Sequence, residues 1–138
     1  MKVFVSDDSP EIRKRLVAML RTVPGISVVG EAESVQAAIS GVLDSACDVL
    51  LLDLQLADGS GLDVLSGLKV KRPALRVIVL TNFATAQHRQ ASLAAGADVF
   101  LDKSQEFQRV PAILREWDDH LQAGLPGPGE STNWKGKE

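Results

Sequence analysis

The chain has 138 residues, 45% of them hydrophobic and 24% charged, the balance of one ordinary globular domain with too little length for two. Its 15 Lys and Arg against 18 Asp and Glu leave a net charge of -3 with no basic block, which argues against binding nucleic acid through phosphate neutralisation. The single cysteine, Cys47, excludes an internal disulfide, and no apolar run approaches the roughly 18 residues of a membrane span, so the chain reads as a soluble, cytoplasmic protein.

Short apolar, β-branched runs alternate with longer stretches of helical spacing. The runs fall at 3–6, 26–30, 49–52, 77–80 and 99–101, apolar without clean alternation, as strands buried on both faces of a parallel sheet are. After the first, Ser9-Pro10 supplies an N-cap with proline at the first helical position, and Ile12, Leu16, Met19 and Leu20 share one stripe. Val35, Ala38, Ile39 and Val42 repeat that spacing after Ser34. Leu62, Leu65 and Leu68 follow a turn at Gly59–Gly61. Residues 86–95 are alanine-rich and stop at Gly96, a C-cap residue. The last helix carries Val110, Ile113, Leu114, Trp117 and Leu121, with Pro111 in its first turn. This alternation predicts an α/β fold with a parallel sheet covered on both faces. From Gly124 the chain turns Pro- and Gly-rich, and 124–138 reads as a tail or truncated linker.

In open parallel sheets, ligands bind beyond the carboxyl ends of the strands. Ser6-Asp7-Asp8 follows the first strand, Asp53 the third, Thr81-Asn82 the fourth and Asp102-Lys103-Ser104 the fifth. Three carboxylates (Asp7, Asp8, Asp53), the Thr81 hydroxyl and the Lys103 ammonium therefore converge on one edge. Two like charges about 4 Å apart cost on the order of 4 kcal/mol at an effective dielectric of about 20, so a cation must hold the acids. The candidates are Lys103 and a divalent metal, and an all-oxygen donor set favours Mg²⁺ or Mn²⁺ over zinc. A metal, a lysine and a hydroxyl around one carboxylate suit phosphoryl transfer, and a carboxylate can itself be the nucleophile.

Each residue alone has a plainer reading: Asp8 and Ser9 as a helix cap, Lys103 as a solvated lysine, Thr81 as an ordinary strand-end residue. Asp53 is harder to explain away, because an acid ending the most apolar strand is costly unless paired. The joint placement carries the reading. Asp58, Gly59 and Gly61 read as turn residues without chemistry, and Cys47 as a buried structural thiol. His88 and His120 lack a ligand partner at i+4 and are not expected to bind metal.

Taken in order, Val5-Ser6-Asp7-Asp8-Ser9, Leu51-Leu52-Asp53-Leu54-Gln55-Leu56 with Asp58-Gly59 and Gly61-Leu62, Val79-Leu80-Thr81, Ala94-Ala95-Gly96-Ala97-Asp98 and Phe100-Leu101-Asp102-Lys103-Ser104 resemble the receiver domain of bacterial two-component response regulators. The likeness runs from Lys2 to about Leu121. Residues 24–32 and the Lys103-Ser104 ending are most similar to NarL/FixJ-type receivers, which usually precede a helix-turn-helix DNA-binding domain. The resemblance implies a flavodoxin-like (βα)5 doubly wound parallel sheet of strand order 2-1-3-4-5, with residues 1–123 as the receiver domain. It implies that Asp53 takes a phosphoryl group from the phosphohistidine of a sensor histidine kinase or phosphotransfer protein. Asp8, Asp53 and the backbone carbonyl of Gln55 would ligate Mg²⁺ (or Mn²⁺) directly, and Asp7 through water. Lys103 would pair with the phosphoryl oxygens. Thr81 would hydrogen-bond to the phosphoryl group, and Phe100 would turn inward as Thr81 moves. That shift would remodel the face of the fourth helix, fifth strand and fifth helix for an output protein, with pairing of phosphorylated copies a further expectation. Such a protein is no ordinary enzyme; it catalyses its own phosphorylation and autodephosphorylation.

Some positions depart from the family's pattern. Ala57 stands where proline is usual, which implies a less rigid loop. Asn82 stands where a small residue is usual, which narrows access to Asp53. Ser104 replaces a common proline, and with it the usual reason for a cis bond there. Gln55 and Phe83 occupy the two variable positions that tune autodephosphorylation, and the bulk of Phe83 implies a shielded phosphoryl group. Two outputs fit the resemblance: first a stand-alone receiver that signals by binding another protein, and behind it the receiver portion of a NarL/FixJ-type transcription regulator. This chain by itself is not expected to read DNA. A small Mg²⁺-dependent phosphohydrolase with an aspartyl nucleophile ranks below both, because its nucleophile is expected after the first strand with a second acid two residues on. A flavin-binding protein ranks lower still, since Asp7-Asp8 would repel a bound phosphate.

Overall fold

The computed structural model describes residues 1–122, so the tail expected at 124–138 and the side chain of Leu121 lie outside the described residues. Five strands form one sheet: β1 (Lys2–Ser6), β2 (Ser27–Ala32), β3 (Val49–Leu52), β4 (Arg76–Thr81) and β5 (Val99–Asp102). Their spatial order is β2-β1-β3-β4-β5 and every pairing is parallel. The helices are α1 (Pro10–Leu20), α2 (Val35–Ser45), α3 (Gly61–Lys71), α4 (Ala86–Ala94) and α5 (Val110–Gln122). A single helical turn, Lys103–Glu106, and a 3-10 turn, Phe107–Arg109, lead into α5. This is the doubly wound arrangement expected from the alternating runs.

The pleat divides the strand residues between two cores. Val3, Val5, Val49, Leu51, Ile78, Leu80, Val99 and Leu101 pack with Leu16 and Leu20 of α1 and Leu114 and Trp117 of α5. Phe4, Leu50, Leu52, Val77, Val79 and Phe100 face the other way, against Ala38 and Val42 of α2 and Val64, Leu65 and Leu68 of α3. All four residues of β3 are buried, as befits the central strand, which explains its unbroken apolar run.

The strand ends differ from the sequence reading in physical ways. The second strand runs two residues past Gly30, because the ladder with β1 continues to Ser6 opposite Ala32. Gly30 does not break it; a register shift between Val3 and Phe4 places the Phe4 ring where a Cβ of Gly30 would sit. Beyond Asp53, where the pattern suggests only a turn, Gln55–Leu56 and Gly59–Ser60 form a short antiparallel ladder. Ser9 caps α1 as expected, and Ser34, Ser60 and Thr85 do the same for α2, α3 and α4. The fourth helix ends one residue short of its expected limit, with Gly96 at φ +113 just beyond its cap residue Ala95. No peptide bond among the described residues is cis, that before Ser104 included.

The Phe4 ring lies between Gly30 of β2 and Gly41 of α2, and a Cβ on either glycine would overlap it. An alanine in mid-helix gains about 1 kcal/mol over glycine in helical preference, whereas overpacking a close-packed site costs about 1–3 kcal/mol. Gly41→Ala is therefore expected to destabilise the fold, and the same change in a Phe4→Leu background to be neutral or stabilising. A double-mutant cycle by urea unfolding measures this, and equal costs in both backgrounds would refute it.

Candidate functional site

The β1 and β3 ends lie side by side, with Ser6 opposite Leu52, so the residues that follow them leave the sheet together. The Asp7 N–H donates to the Ala32 carbonyl at 3.0 Å, and the Asp53 N–H to the Ser6 carbonyl at 2.9 Å. These bonds carry the ladders one residue beyond the strands and fix the backbone under both carboxylates. Lys103, leaving β5, reaches across β4. Its Nζ lies 2.7 Å from Asp7 Oδ2 and 2.9 Å from Asp53 Oδ2, with side chains only 6%, 2% and 6% exposed respectively. The other oxygens are engaged by backbone: Asp7 Oδ1 accepts from the Ser9 N–H at 2.9 Å, and Asp53 Oδ1 from the Gln55 N–H at 3.2 Å.

Asp8, next to the buried Asp7, is exposed, yet one oxygen each of Asp7, Asp8 and Asp53 lies within 4.8 Å of the others. Three carboxylates thus face one ammonium. Burial raises the Asp53 carboxyl above its ordinary range, and the hydrogen bond from Lys103 offsets part of this while the charge of Asp7 adds to it. For Lys103, burial favours the neutral amine, but hydrogen bonds to Asp7 and Asp53 outweigh it and hold the ammonium above the usual lysine range. The lysine is therefore firmly charged, and one positive charge is left to balance three carboxylates. Their donor atoms are all oxygen, close together, partly open to solvent through Asp8, and short of positive charge. That set suits a hard divalent cation.

The remaining expected residues surround this centre. Thr81 is fully buried at the end of β4, its Oγ1 accepting from the Phe83 N–H at 3.1 Å. Asn82 and Phe83 are exposed, and the Phe83 ring stands 6.1 Å from that of His88. Phe83 and Gln55 both line a cleft of about 400 Å³, together with Leu54, which follows Asp53, and with Leu62 and His88. Phe100, expected to turn inward with Thr81, lies inward in this structure at 4% exposure, with the Arg89 guanidinium 6.0 Å over its ring. Asp102, which shares the strand-end rim, turns away to cap the following turn, accepting from the Ser104 N–H and hydroxyl at 2.9 and 2.7 Å.

For three further contributors the sequence reading assigns no role at the site. Arg13 is simply off the apolar stripe of α1, yet its guanidinium donates to the Asp7 carbonyl at 2.6 Å. Gly61 looks like a turn residue, but a Cβ there would collide with the Asp53 carbonyl oxygen, so α3 can start against the acid loop only with glycine. Asp58, assigned no chemistry from its turn position, accepts from the Val35 and Gln36 N–H groups at the start of α2. Ala57 does not leave the loop slack, because its N–H donates to the Glu33 carbonyl at 2.9 Å, a bond proline cannot make.

Replacing Lys103 with methionine would leave two buried carboxylates without their cation, a change expected to cost about 3–5 kcal/mol near neutral pH. An acid whose folded pKa exceeds its unfolded value gives stability that is present at low pH and lost as pH rises, so the deficit is largest at pH 8 and shrinks towards pH 5. Urea unfolding of both proteins across that range, in a chelator, checks this; a deficit independent of pH would contradict it.

Residues 3–115 match the response regulator receiver domain family. The DNA-binding transcriptional activator DevR/DosR of Mycobacterium tuberculosis is 36% identical over 116 residues, covering 84% of this chain and 54% of that protein. The nitrate/nitrite response regulator protein homolog of Haemophilus influenzae is 32% identical over 106 residues, covering 77% and 51%. The chain thus spans about half the length of these relatives. Among solved structures, the signal receiver domain of the putative response regulator NarL from Mycobacterium tuberculosis aligns with a TM-score of 0.77 at 26% identity, covering 83% of this chain and 93% of that one. The response regulator domain of Thermotoga maritima CheB aligns with a TM-score of 0.74 at 28% identity, covering 89% and 95%. A family match over most of the chain, on a sheet of this order with its acids at this edge, leaves one assignment: the chain belongs to the response regulator receiver domains.

Proposed function

We propose that Asp53 is the phosphoacceptor of this receiver, and that the donor is the phosphohistidine of a sensor histidine kinase or phosphotransfer protein. A carboxylate oxygen of Asp53 attacks phosphorus, a P–O bond forms as the P–N bond to the imidazole breaks, and the leaving imidazole takes up a proton. The observation that carries this is the single ammonium of Lys103 shared by two buried acids, 2.7 and 2.9 Å away. Lys103 already lies on Asp53, where it can follow the incoming phosphoryl oxygens without crossing solvent. The Thr81 hydroxyl oxygen accepts from the Phe83 N–H and can donate its proton to a phosphoryl oxygen, which would draw the end of β4 towards Asp53.

Asp8, Asp53 and the Gln55 carbonyl are the groups that would hold Mg²⁺ (or Mn²⁺) directly, with Asp7 acting through water. The chemistry supplied when the ion is bound is neutralisation of the carboxylates and of the phosphoryl oxygens that join them. Phe83, Asn82 and Gln55 form the rim that water must cross to reach an acyl phosphate at Asp53. A phosphoryl group here is a local charge event that biases the Thr81–Phe100 region, and with it the face of α4, β5 and α5, towards binding a partner protein or a second copy.

A second reading concerns the output. The relatives are about twice as long as the span this chain matches, and one of them carries the name of a DNA-binding activator. This favours the receiver portion of a DNA-binding regulator over a stand-alone receiver. No helix among the described residues is long and apolar enough to cross a membrane, and a phosphorelay partner of this kind is proposed to act in the cytoplasm.

Intact mass after incubation with Mg²⁺ and acetyl phosphate should show one added phosphoryl group, absent in chelator and in Asp53→Ala. An adduct of equal yield in Asp53→Ala would overturn the assignment. Phe83→Ala should shorten the lifetime of the phosphorylated form by opening the rim to water. The same measurement over time tests it, and an unchanged decay would remove Phe83 from the shield.

A further inference from the structure

The residues that follow Asp53 form a hairpin with little to hold it from within. Its ladder is two residue pairs, Gln55 with Ser60 and Leu56 with Gly59. Yet this hairpin carries the Gln55 N–H that bonds Asp53 Oδ1, as well as the Gln55 carbonyl. Its support comes from the side. Ala57 N–H donates to the Glu33 carbonyl, and the Asp58 carboxylate accepts from Val35 N–H through Oδ1 and from Gln36 N–H through Oδ2. The first N–H groups of a helix have no partner within it and favour a negative charge. The first turn of α2 has no acidic residue of its own, so the charge arrives from the hairpin.

The same stretch of chain also holds the other acid loop. Asp7 N–H donates to the Ala32 carbonyl, and Arg13, which donates to the Asp7 carbonyl, reaches Glu31 at 3.4 Å and Glu33 at 3.7 Å. Glu31, Ala32, Glu33, Val35 and Gln36 are therefore a common mount for Asp7-Asp8 on one side and Asp53–Gln55 on the other, while the Ser34 side chain bonds to α2 instead.

We infer that Asp58 is a positioning residue of the acid site: by fastening the hairpin to the start of α2, it sets the separation of Gln55 and Asp53 from Asp7 and Asp8, and so the affinity for a divalent cation. This rests on the metal reading proposed above. The mechanism is that of a supporting partner which never touches the ion but fixes the groups that do. Loss of such partners typically weakens metal binding about 10–100-fold.

Mn²⁺ titration of the full chain, followed by the EPR signal of free Mn²⁺, tests it alongside thermal unfolding of each variant. Asp58→Ala should weaken binding by about tenfold or more. Asp58→Asn keeps an amide oxygen for the Val35 N–H and should retain most of the affinity. Ser34→Ala removes the N-cap of α2 itself, whose Oγ accepts from the Ala37 N–H at 3.1 Å, and should lower Tm without weakening Mn²⁺ binding. Equal weakening in Asp58→Ala and Ser34→Ala would reduce Asp58 to a helix cap and overturn the inference, as would Asp58→Ala binding as tightly as the parent. Failure of the parent itself to bind Mn²⁺ would strike the metal reading, and this inference with it.

Discussion

One ammonium lies between two buried carboxylates, and the rest of the molecule is arranged to make that contact. Burying charges costs several kcal/mol per ion, and a buried ion pair seldom repays this better than apolar side chains of the same volume would. Here the balance is poorer still, since Asp8 adds a third carboxylate within reach. The cluster is therefore not what makes the fold stable. It is held in place by the fold, and the excess negative charge makes its state responsive to any cation or phosphoryl group that arrives.

The sheet meets this demand through topology. Asp7 and Asp53 come from adjacent parallel strands, so their carboxylates emerge side by side at one edge. Lys103 comes from β5, with β4 between it and β3, and only a long side chain can bridge that gap. Two apolar layers, split by the alternation of the strands, fix the strand ends that carry these groups. Close contacts transmit that rigidity: α3 begins against the Asp53 carbonyl because Gly61 has no Cβ, and β2 and α2 close on Phe4 through two glycines.

The parts of the site legible in the sequence were those set by a single rule applied locally. An apolar run followed by an acid, a hydroxyl or a lysine names its strand end, and parallel order brings the ends together. The fold was legible for the same reason, because each strand and helix carries its own period. What was not legible depends on partners distant in the chain. Asp58 lies 23 residues from Val35, whose N–H it accepts, and nothing at either position announces the other. Gly61 looks like a turn residue and Ala57 like a missing proline, and their roles lie in the carbonyl that Gly61 approaches and the hydrogen bond that Ala57 donates. The two extra residues of β2 follow from its ladder with β1, which a glycine in the run conceals. Even Asp7 and Asp8 are indistinguishable as letters; the first turns inward to Lys103 and the second to solvent.

How a charge event at Asp53 would reach the surface follows from how unevenly the helices are anchored. The first three helices bury apolar side chains in the cores, whereas the only buried residue of α4 is Ser92, whose hydroxyl has no partner among the described residues. A helix held by so little apolar area belongs to the part of a structure that rearranges at least cost. Its start is Thr85, whose Oγ1 accepts from the His88 N–H, and only three residues separate that cap from Thr81. Thr81 in turn holds the Phe83 N–H, so a threonine side chain is hydrogen-bonded at each end of this short segment. On the proposed reading, a phosphoryl oxygen accepts the proton that the Thr81 hydroxyl can donate, and as Thr81 moves towards it, the bond from the Phe83 N–H carries the movement into the segment that leads to the least anchored helix. Arg89, on that helix, lies over Phe100 of β5, which gives the movement a second surface to act on. The strong contacts thus stay with the acids and the weak ones with α4, and that division of strength is what a switch requires.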